Sequence, residues 1–309
     1  MDHQHTLRRS IAFAGVGLHS GERIEARVLP APAGSGVVFI RTDTDRRVAI
    51  PAVREFLGDT TLATTLTRDG TSISTVEHIL AALAGMGVDN ARVEVHGPEV
   101  PILDGSAAPF VDLIRRAGVV RQEMLRHYLR LKKSIIVEEG DRWIEARPIR
   151  SVLGPAMILD CTIEFDHPLI TKQSRRWLVE DASFARDVAP ARTFGFLKDV
   201  EFLKAIGLAK GGGPDNAVVL GDDEVLNPEG VRFDDEFVRH KLLDMLGDFA
   251  LLGMPLIGEV ISHKGGHHLN QLLVAKILEE PRAWEVVERP FMAARAVNAP
   301  YETGRRLAF

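Results

Sequence analysis

Three side chains that can bind a metal are spaced along one stretch of the sequence, RHKLLDMLGD at residues 239–248. His240, Asp244 and Asp248 follow one another at intervals of four residues. Each step of four rotates a side chain by only about 40° around a helix, so the three project in nearly one direction. This stripe suits a metal site. It suits equally well the solvent-facing side of an amphipathic helix, because apolar residues cover the opposite side. This segment alone favours the solvent-facing interpretation.

The composition is that of a globular protein that can bury a large core. The chain has 309 residues, of which 45% are hydrophobic. At roughly 100 to 200 residues per domain, we expect about two domains. A net charge of −5 and a pI of about 6.1 provide no positive field that would attract nucleic acid or an anionic membrane surface. We therefore expect no nucleic-acid partner.

Cysteine content and hydropathy give expectations for the cellular compartment. Cys161 is the single cysteine, which excludes an intramolecular disulfide and suits a reducing compartment. Residues 1–21 contain several glycines and lack the long apolar stretch of a secretion signal. The most apolar later stretch, residues 249–261, is shorter than the ~20 residues of a membrane helix. The sequence predicts a cytoplasmic protein without a transmembrane segment.

The elements that position these side chains follow one another in a repeated order. In the first half, strand-like alternation at residues 22–50 precedes a helix in SISTVEHILAALAGMG, a strand in ARVEV and a helix in APFVDLIRRAG. In the second half, two strand regions precede a helix from about Asp234 to Leu252, a strand in LIGEVI and a helix in NQLLVAKILEE. We predict an α+β fold with two similar domains, 1–126 and 127–309. The second carries an inserted strand, helix and strand at about 194–226. Chance similarity of element order is the alternative.

The repeat indicates which residues face the metal-candidate helix. The matching helix of the first half begins with Glu77 and His78. If the domains pack face to face, His78, His240 and Asp244 meet, and two imidazoles with one carboxylate are a typical ligand set of catalytic zinc. Glu77, next to a ligand, could remove a proton from an attacking water. The alternative is that Glu77 forms a capping box with Ser74.

The segment HKGGHHLN, residues 263–270, places three histidines between a predicted strand and helix. A general acid could lie there, and a second metal site or histidines without a role are the alternatives. Asp248 could hold such a histidine in the required tautomer, or it could be a solvated carboxylate.

Two further segments contain candidate residues with weaker signals. In ARTFGF, the Thr193 hydroxyl could stabilise an oxyanion, and Phe194 could stack on a sugar or base or simply pack in the core. His19 in the glycine-flanked turn GVGLHSG has no assigned role from spacing alone.

Taken together, motifs along nearly the whole chain resemble those of one family, the UDP-3-O-acyl-N-acetylglucosamine deacetylases of lipid A biosynthesis. The HKxxD signature of that family stands here as His240, Lys241 and Asp244. The motifs, in family order, are GVGLHSG, TVEHILAAL, VPILDGSA, CTIEFDHP, ARTFGF, GGGPDNAVV, RHKLLDMLGD and HKGGHHLN.

The resemblance implies a zinc-dependent amidohydrolase made of two β-α-α-β sandwich domains packed face to face, each with a small insert. By similarity, the zinc ligands are His78, His240 and Asp244. Fe²⁺ is an alternative metal, because ligands of this type serve either ion. By the same similarity, the catalytic residues are Glu77 as base, His267 as acid, Asp248 as the support of that acid and Thr193 at the oxyanion.

The resemblance also implies a substrate cleft. Lys241 and Phe194 would contact the substrate, while Phe165 and His19 would line the cleft. The histidine doublet departs from the pattern, and we choose His267 over His268 because it directly follows the two glycines. In the family, the second insert guides the acyl chain. Its apolar residues here are Phe196, Leu197, Phe202, Leu203, Ile206 and Leu208.

The expected reaction is hydrolysis of the N-acetyl group of UDP-3-O-acyl-N-acetylglucosamine, which gives UDP-3-O-acyl-glucosamine and acetate. We expect the protein to act as a monomer. Two alternatives are a zinc amidase for another acylated amine and a non-catalytic nucleotide-sugar binding protein with a structural metal. The second alternative would lack a base or an acid, whereas this sequence has candidates for both in Glu77 and His267.

Overall fold

The computed structural model describes residues 2–149 and 156–288 and has an α+β fold, as predicted. The strands are β1 (His3–Leu7), β2 (Ile11–Val16), β3 (Arg23–Pro30), β4 (Val37–Arg41), β5 (Ala49–Pro51), β6 (Leu66–Arg68), β7 (Thr71–Ile73), β8 (Ala91–His96), β9 (Val119–Leu125), β10 (His127–Leu131), β11 (Ile135–Glu139), β12 (Arg142–Arg147), β13 (Met157–Glu164), β14 (Lys172–Leu178), β15 (Phe194–Phe196), β16 (Val218–Leu220), β17 (Leu256–His263) and β18 (Trp284–Glu288). The helices are α1 (Glu77–Gly85), α2 (Ala108–Ala117), α3 (Asp181–Ser183), α4 (Leu197–Ala205), α5 (Glu236–Phe249) and α6 (His267–Glu279). Short 3₁₀ or π turns cover Arg54–Phe56, Phe184–Val188 and Ala250–Leu252.

The strand order of the first sheet is repeated in the second. The first sheet has the order β2-β3-β8-β4-β5, and the second contains the run β11-β12-β17-β13-β14. In each run the third and fourth strands pair in parallel, and the other neighbours pair antiparallel. In addition, β1 pairs with β9 as β10 pairs with β18. The repeat that the sequence predicts is therefore present in the topology itself.

The helices follow the same repeat. Helix α1 lies between β5 and β8 in the chain and α2 follows β8, just as α5 precedes β17 and α6 follows it. The β6–β7 hairpin precedes α1, and α3, β15, α4 and β16 precede α5, so each half carries an insert at the corresponding place. The predicted inserted strand, helix and strand are β15, α4 and β16.

The predicted boundary near residue 127 falls between β9 and β10. Among the described strands, none before this point pairs with one after it. This pairing is compatible with domains 1–126 and 127–309, which stay a prediction. Residues 150–155 and 289–309 of the second range lie outside the described residues. No helix in the described part of the chain is both long and apolar enough to cross a bilayer.

Helices α1 and α5 pack directly against each other, and a glycine sets their separation. A β-carbon added at Gly247 of α5 would lie 2.1 Å from the carbonyl oxygen of Glu77 in α1. Only a residue without a side chain allows this approach of the two backbones. The contact covers the side of α5 that the amphipathic pattern predicts to face solvent. His240, Asp244 and Asp248 are 1%, 3% and 0% exposed, so the solvent-facing interpretation of their stripe is wrong.

The start of α1 also differs from the capping-box alternative. The residue before the helix is Val76, and no side chain caps it. The Ser74 hydroxyl instead pairs with the Thr65 hydroxyl at 2.9 Å. Thr75 has a left-handed φ of 56°, which turns the chain between Ser74 and the helix. That turn removes Ser74 from the capping position and leaves the Glu77 carboxylate available for other contacts.

We predict that Gly247→Ala destabilises the protein. Alanine favours a helix over glycine by about 1 kcal/mol, but overpacking against backbone usually costs about 1–3 kcal/mol, and here the obstacle is a rigid carbonyl. The free energy of unfolding, measured by chemical denaturation, should fall. The control is Gly213→Ala, where an added β-carbon meets nothing within 4 Å. Equal stability of the Gly247 variant and the control would contradict the close-packing argument.

Candidate active site

Three residues from α1 and α5 form a compact group of potential metal ligands. His78 comes from the first turn of α1, and His240 and Asp244 lie one turn apart on α5. One ligand atom of each residue lies within 4.8 Å of those of the other two, and all three residues are buried. The Oδ1 atom of Asp244 is 3.2 Å from His240 Nε2 and 3.8 Å from His78 Nε2. We call these residues the metal-candidate group.

The metal-candidate group fits a divalent metal such as zinc. Tetrahedral ligands at about 2.0–2.1 Å from an ion lie about 3.3 Å from one another, close to the 3.2 Å and 3.8 Å between Asp244 Oδ1 and the two imidazoles. Asp244 Oδ1 is buried without a hydrogen-bond partner. His240 Nδ1 lies 3.0 Å from the Ala191 carbonyl, and donation there leaves the Nε2 lone pair directed at Asp244. An orphaned carboxylate oxygen and an oriented imidazole are both features of a ligand set.

The electrostatics of the metal-candidate group keep His78 and Asp244 in metal-binding protonation states. Burial and the nearby charge of His240 lower the pKa of His78 to about 3, so its imidazole is neutral. Burial alone would raise the pKa of Asp244, but the charges of His240 and Lys241 lower it overall, so it is a carboxylate. The Lys241 ammonium lies 2.7 Å from Asp244 Oδ2.

Glu77 lies beside the metal-candidate group but does not belong to it. Its Oε2 atom accepts a hydrogen bond from the Thr64 backbone N–H at 3.0 Å. Burial raises its pKa to about 7, with the negative charges of Asp244 and Asp248 adding to the effect. A carboxylate that titrates near neutral pH can both take up and release a proton under physiological conditions.

His267, the first residue of α6, faces Glu77. Its Nε2 atom lies 3.8 Å from Glu77 Oε1 and 3.9 Å from Asp244 Oδ2. Its Nδ1 atom donates to Asp248 Oδ2 at 2.8 Å. Burial alone would lower the pKa of His267, but the charge and hydrogen bond of Asp248 raise it to about 10. His267 is therefore a cation at neutral pH, and Asp248 is its buried partner rather than a solvated carboxylate.

The two histidines of the doublet have different surroundings. The His268 side chain is 61% exposed, and its Nε2 atom lies 3.1 Å from Glu139 Oε1 on the protein surface. His263, the third histidine of that segment, stacks on Trp143 with ring centroids 5.9 Å apart. Neither belongs to a potential metal cluster among the residues that the structure describes, so a second metal site has no support there.

A family model for UDP-3-O-acyl N-acetylglycosamine deacetylase, LpxC, matches residues 4–279. The chain belongs to this family. The resemblance that the motifs indicate is thereby confirmed, and the match contains every candidate site residue.

Curated relatives agree with the family assignment over nearly the full length of both chains. A UDP-3-O-acyl-N-acetylglucosamine deacetylase of Myxococcus xanthus is 51% identical over 284 residues, which cover 92% of this chain and 89% of the relative. The deacetylase of Anaeromyxobacter sp. is 49% identical, with 92% and 91% covered. The deacetylase of Shewanella violacea is 47% identical, with 92% of each chain covered.

Two of the expected substrate-binding residues of this LpxC-family chain adjoin the metal-candidate group. The Phe194 ring packs at 5.0 Å from Phe237 and lies 6.5 Å from the His240 ring. The Lys241 ammonium lies 5.6 Å from the Phe194 ring centroid, within cation–π range. Phe194 is half-buried, so it packs on the core and still has part of its surface exposed.

Phe194, Phe165, Phe196 and His167 form a row of neighbouring rings, which we call the aromatic wall. The Phe165 ring lies 5.7 Å from both Phe194 and Phe196, and the His167 ring continues the row at 5.2 Å from Phe196. The wall leads from the metal-candidate group to α4. On this helix and directly after it, Leu197, Phe202 and Ile206 are 51%, 65% and 53% exposed.

Thr193 and His19 have looser links to the site. The described hydrogen bonds of Thr193 are made by its backbone, to the Gly105 carbonyl and the Val218 N–H at 2.8 Å each, and the role of its hydroxyl stays a prediction. Burial lowers the pKa of His19, and the positive charge of His267 lowers it further, so the two imidazoles lie within electrostatic range. His19 Nε2 is buried without a hydrogen-bond partner.

Several residues that orient the site are not among those that the sequence predicts. The Ala191 carbonyl orients His240, and Thr64 and Asn270 both donate to Asp248. Asn270 could have been suspected because it ends the HKGGHHLN segment. Thr64 gave no signal, because it lies in a run of threonines, TLATT, typical of a loop or strand.

We predict that His240→Ala and Asp244→Ala each abolish stoichiometric binding of zinc, whereas Glu77→Ala retains it. The reason is that the first two remove ligand atoms, while the third removes a buried carboxylate outside the metal-candidate group. Metal content after dialysis against a weak chelator, measured by elemental analysis, provides the test. Retention of zinc by both ligand variants, or its loss from Glu77→Ala, would contradict this assignment.

Proposed function

We propose that this protein hydrolyses the N-acetyl group of UDP-3-O-acyl-N-acetylglucosamine to give acetate and UDP-3-O-acyl-glucosamine, a committed step of lipid A biosynthesis. Amide hydrolysis needs one group that takes a proton from water and another that gives a proton to the departing amine. The observation that carries the proposal is the pair Glu77 and His267, 3.8 Å apart and both beside the metal-candidate group. The names of the relatives supply the substrate.

The metal of this proposal is zinc, with Fe²⁺ as the alternative, held by His78, His240 and Asp244. When bound, zinc supplies a Lewis acid that activates water at neutral pH and polarises the amide carbonyl. The support for this metal is the nitrogen and oxygen donor set and the unpartnered Asp244 oxygen.

Glu77 is the proposed general base. Its Oε1 atom is free to accept a proton from the attacking water, because the Thr64 N–H binds the other carboxylate oxygen. Its pKa of about 7 is well matched to proton transfer near neutral pH. A base with an ordinary glutamate pKa would be a weaker proton acceptor.

His267 is the proposed general acid. It is held as a cation by Asp248, with Nδ1–H bound to that carboxylate and Nε2 on the side of Glu77 and Asp244. The Nε2 proton passes to the leaving nitrogen, and the neutral imidazole keeps its Nδ1–H hydrogen bond. The Thr193 hydroxyl is the proposed donor to the oxyanion of the tetrahedral intermediate.

The proposed substrate contacts follow the surfaces around this pair. Lys241 and Phe194 bind the substrate, and Phe165 and His19 line its cleft. The aromatic wall and the exposed apolar residues of α4 would receive the acyl chain. We place the protein in the cytoplasm, a reducing compartment that suits the free and buried Cys161, and propose that it acts as a monomer.

The decisive assay is acetate release from UDP-3-O-acyl-N-acetylglucosamine by the purified protein, before chelation, after chelation and after zinc is restored. We expect activity to vanish with chelation and to return with zinc, because the chain's own residues provide the base and acid but no Lewis acid. N-acetylated peptides and simple N-acetyl sugars serve as comparison substrates. Folded, zinc-loaded protein that releases no acetate would refute the proposal, and preference for another acylated amine would refute the substrate.

We predict that His267→Ala lowers kcat by about 10²–10⁴-fold, the usual contribution of a positioned proton donor, whereas His268→Ala leaves kcat close to that of the wild type. The two substitutions are matched in residue type and adjacent in sequence, but only the His267 side chain faces Glu77 and Asp248. Steady-state kinetics on zinc-loaded variants provide the comparison. A larger loss at residue 268 would show that His268, and not His267, is the acid.

A further inference from the structure

Thr64 lies where α1, α5 and α6 meet, and it is fully buried. It belongs to the segment directly before β6, the first strand of the β6–β7 hairpin. In the chain it is 13 residues from Glu77, 184 from Asp248 and 203 from His267, and all three interact with it. No step of the proposed reaction uses the side chain of this residue.

The backbone of Thr64 holds the start of α1. Its N–H donates to Glu77 Oε2 at 3.0 Å. Its carbonyl accepts from the Val76 N–H at 3.2 Å, the backbone group directly before the helix. Helix α1 has no side-chain cap, and these two hydrogen bonds take the place of a cap. The first of them also fixes the direction of the Glu77 carboxylate.

The side chain of Thr64 holds the acid pair on the other side. Its hydroxyl donates to Asp248 Oδ1, and its oxygen lies 3.3 Å from His267 Nδ1. Asp248 Oδ2 meanwhile accepts from His267 Nδ1 and Asn270 Nδ2 at 2.8 Å each. Thr64 is therefore the donor that occupies the first oxygen of this carboxylate and leaves the second for the histidine.

We propose that Thr64 is a positioning residue that fixes the base Glu77 and the acid pair His267–Asp248 relative to each other across the α1–α5 contact. This inference rests on the proposed function. The hydroxyl determines which Asp248 oxygen faces His267, and the peptide group of the same residue determines which Glu77 oxygen remains free. A small displacement of either group lowers kcat, because proton transfer depends steeply on geometry.

The test compares Thr64→Val with Thr64→Ser in the full-length, zinc-loaded protein. Valine keeps the shape of threonine and removes the hydroxyl, while serine keeps the hydroxyl. We expect Thr64→Val to lower kcat by about 10-fold or more with an unchanged KM, since a misplacement of about 1 Å can cost 10²-fold. Thr64→Ser should keep most of the wild-type kcat. Zinc content, measured alongside, should equal that of the wild type in both variants.

Thr6→Val is the matched control. Thr6 is also buried, and its hydroxyl donates to the Asn90 carbonyl at 2.7 Å. The hydroxyl also accepts from the Ala31 N–H at 3.0 Å, so this variant loses two hydrogen bonds and some stability, and it should keep the wild-type kcat. A merely structural role for the Thr64 hydroxyl would make Thr64→Val behave like this control.

The outcomes separate the inference from the proposed function. Wild-type protein that releases no acetate overturns the proposed function and this inference together. Active wild type with equal kcat for Thr64→Val and Thr6→Val overturns the inference alone. Equal loss in the valine and serine variants also overturns it, because the loss would then not depend on the hydroxyl. If Thr64→Val does not fold, Thr64→Ala replaces it, and a kcat equal to that of Thr64→Ser overturns the inference for the same reason.

Discussion

The close contact of α1 with α5 is the constraint on which the rest of the structure depends. Gly247 lets the two backbones meet at Glu77, and this places one potential ligand from α1 within reach of two from α5. Each helix is buried by the other, which is how charged residues on α5 come to lie in the interior. The sheets and inserts then act as the frame that holds this contact at one separation.

Burial of an ionisable group costs free energy, and in this site hydrogen-bond and ion-pair partners offset that cost. Asp244 has Lys241, and Asp248 has His267, Asn270 and Thr64. Burial and neighbouring charges also shift the pKa values of two histidines in opposite directions, so that His78 is neutral and His267 is a cation. Two imidazoles of one buried site thus acquire opposite chemical roles from their neighbours alone.

The sequence predicts the fold class, the repeat of elements and the grouping of His78, His240 and Asp244, because helical spacing and motif order carry that information. It could not predict the burial of the polar side of α5. Apolar residues on one side of a helix indicate that the opposite side faces solvent, and only the structure shows that α1 covers that side. Nor could the sequence predict Thr64, whose contacts join residues 184 positions apart. Strand β14 was missed because KQSRRWL is charged, as suits an edge strand.

The repeated topology divides the chemistry unequally between the two halves. The first half, up to β9, contains helix α1 with Glu77 and His78. The second half contributes His240, Asp244, Asp248 and His267. Neither half has a complete ligand set or both proton-transfer groups. Joining them in one polypeptide replaces a bimolecular encounter with an intramolecular one, at an effective concentration set by the short link between β9 and β10. The site therefore assembles to the same extent however dilute the protein is in the cell.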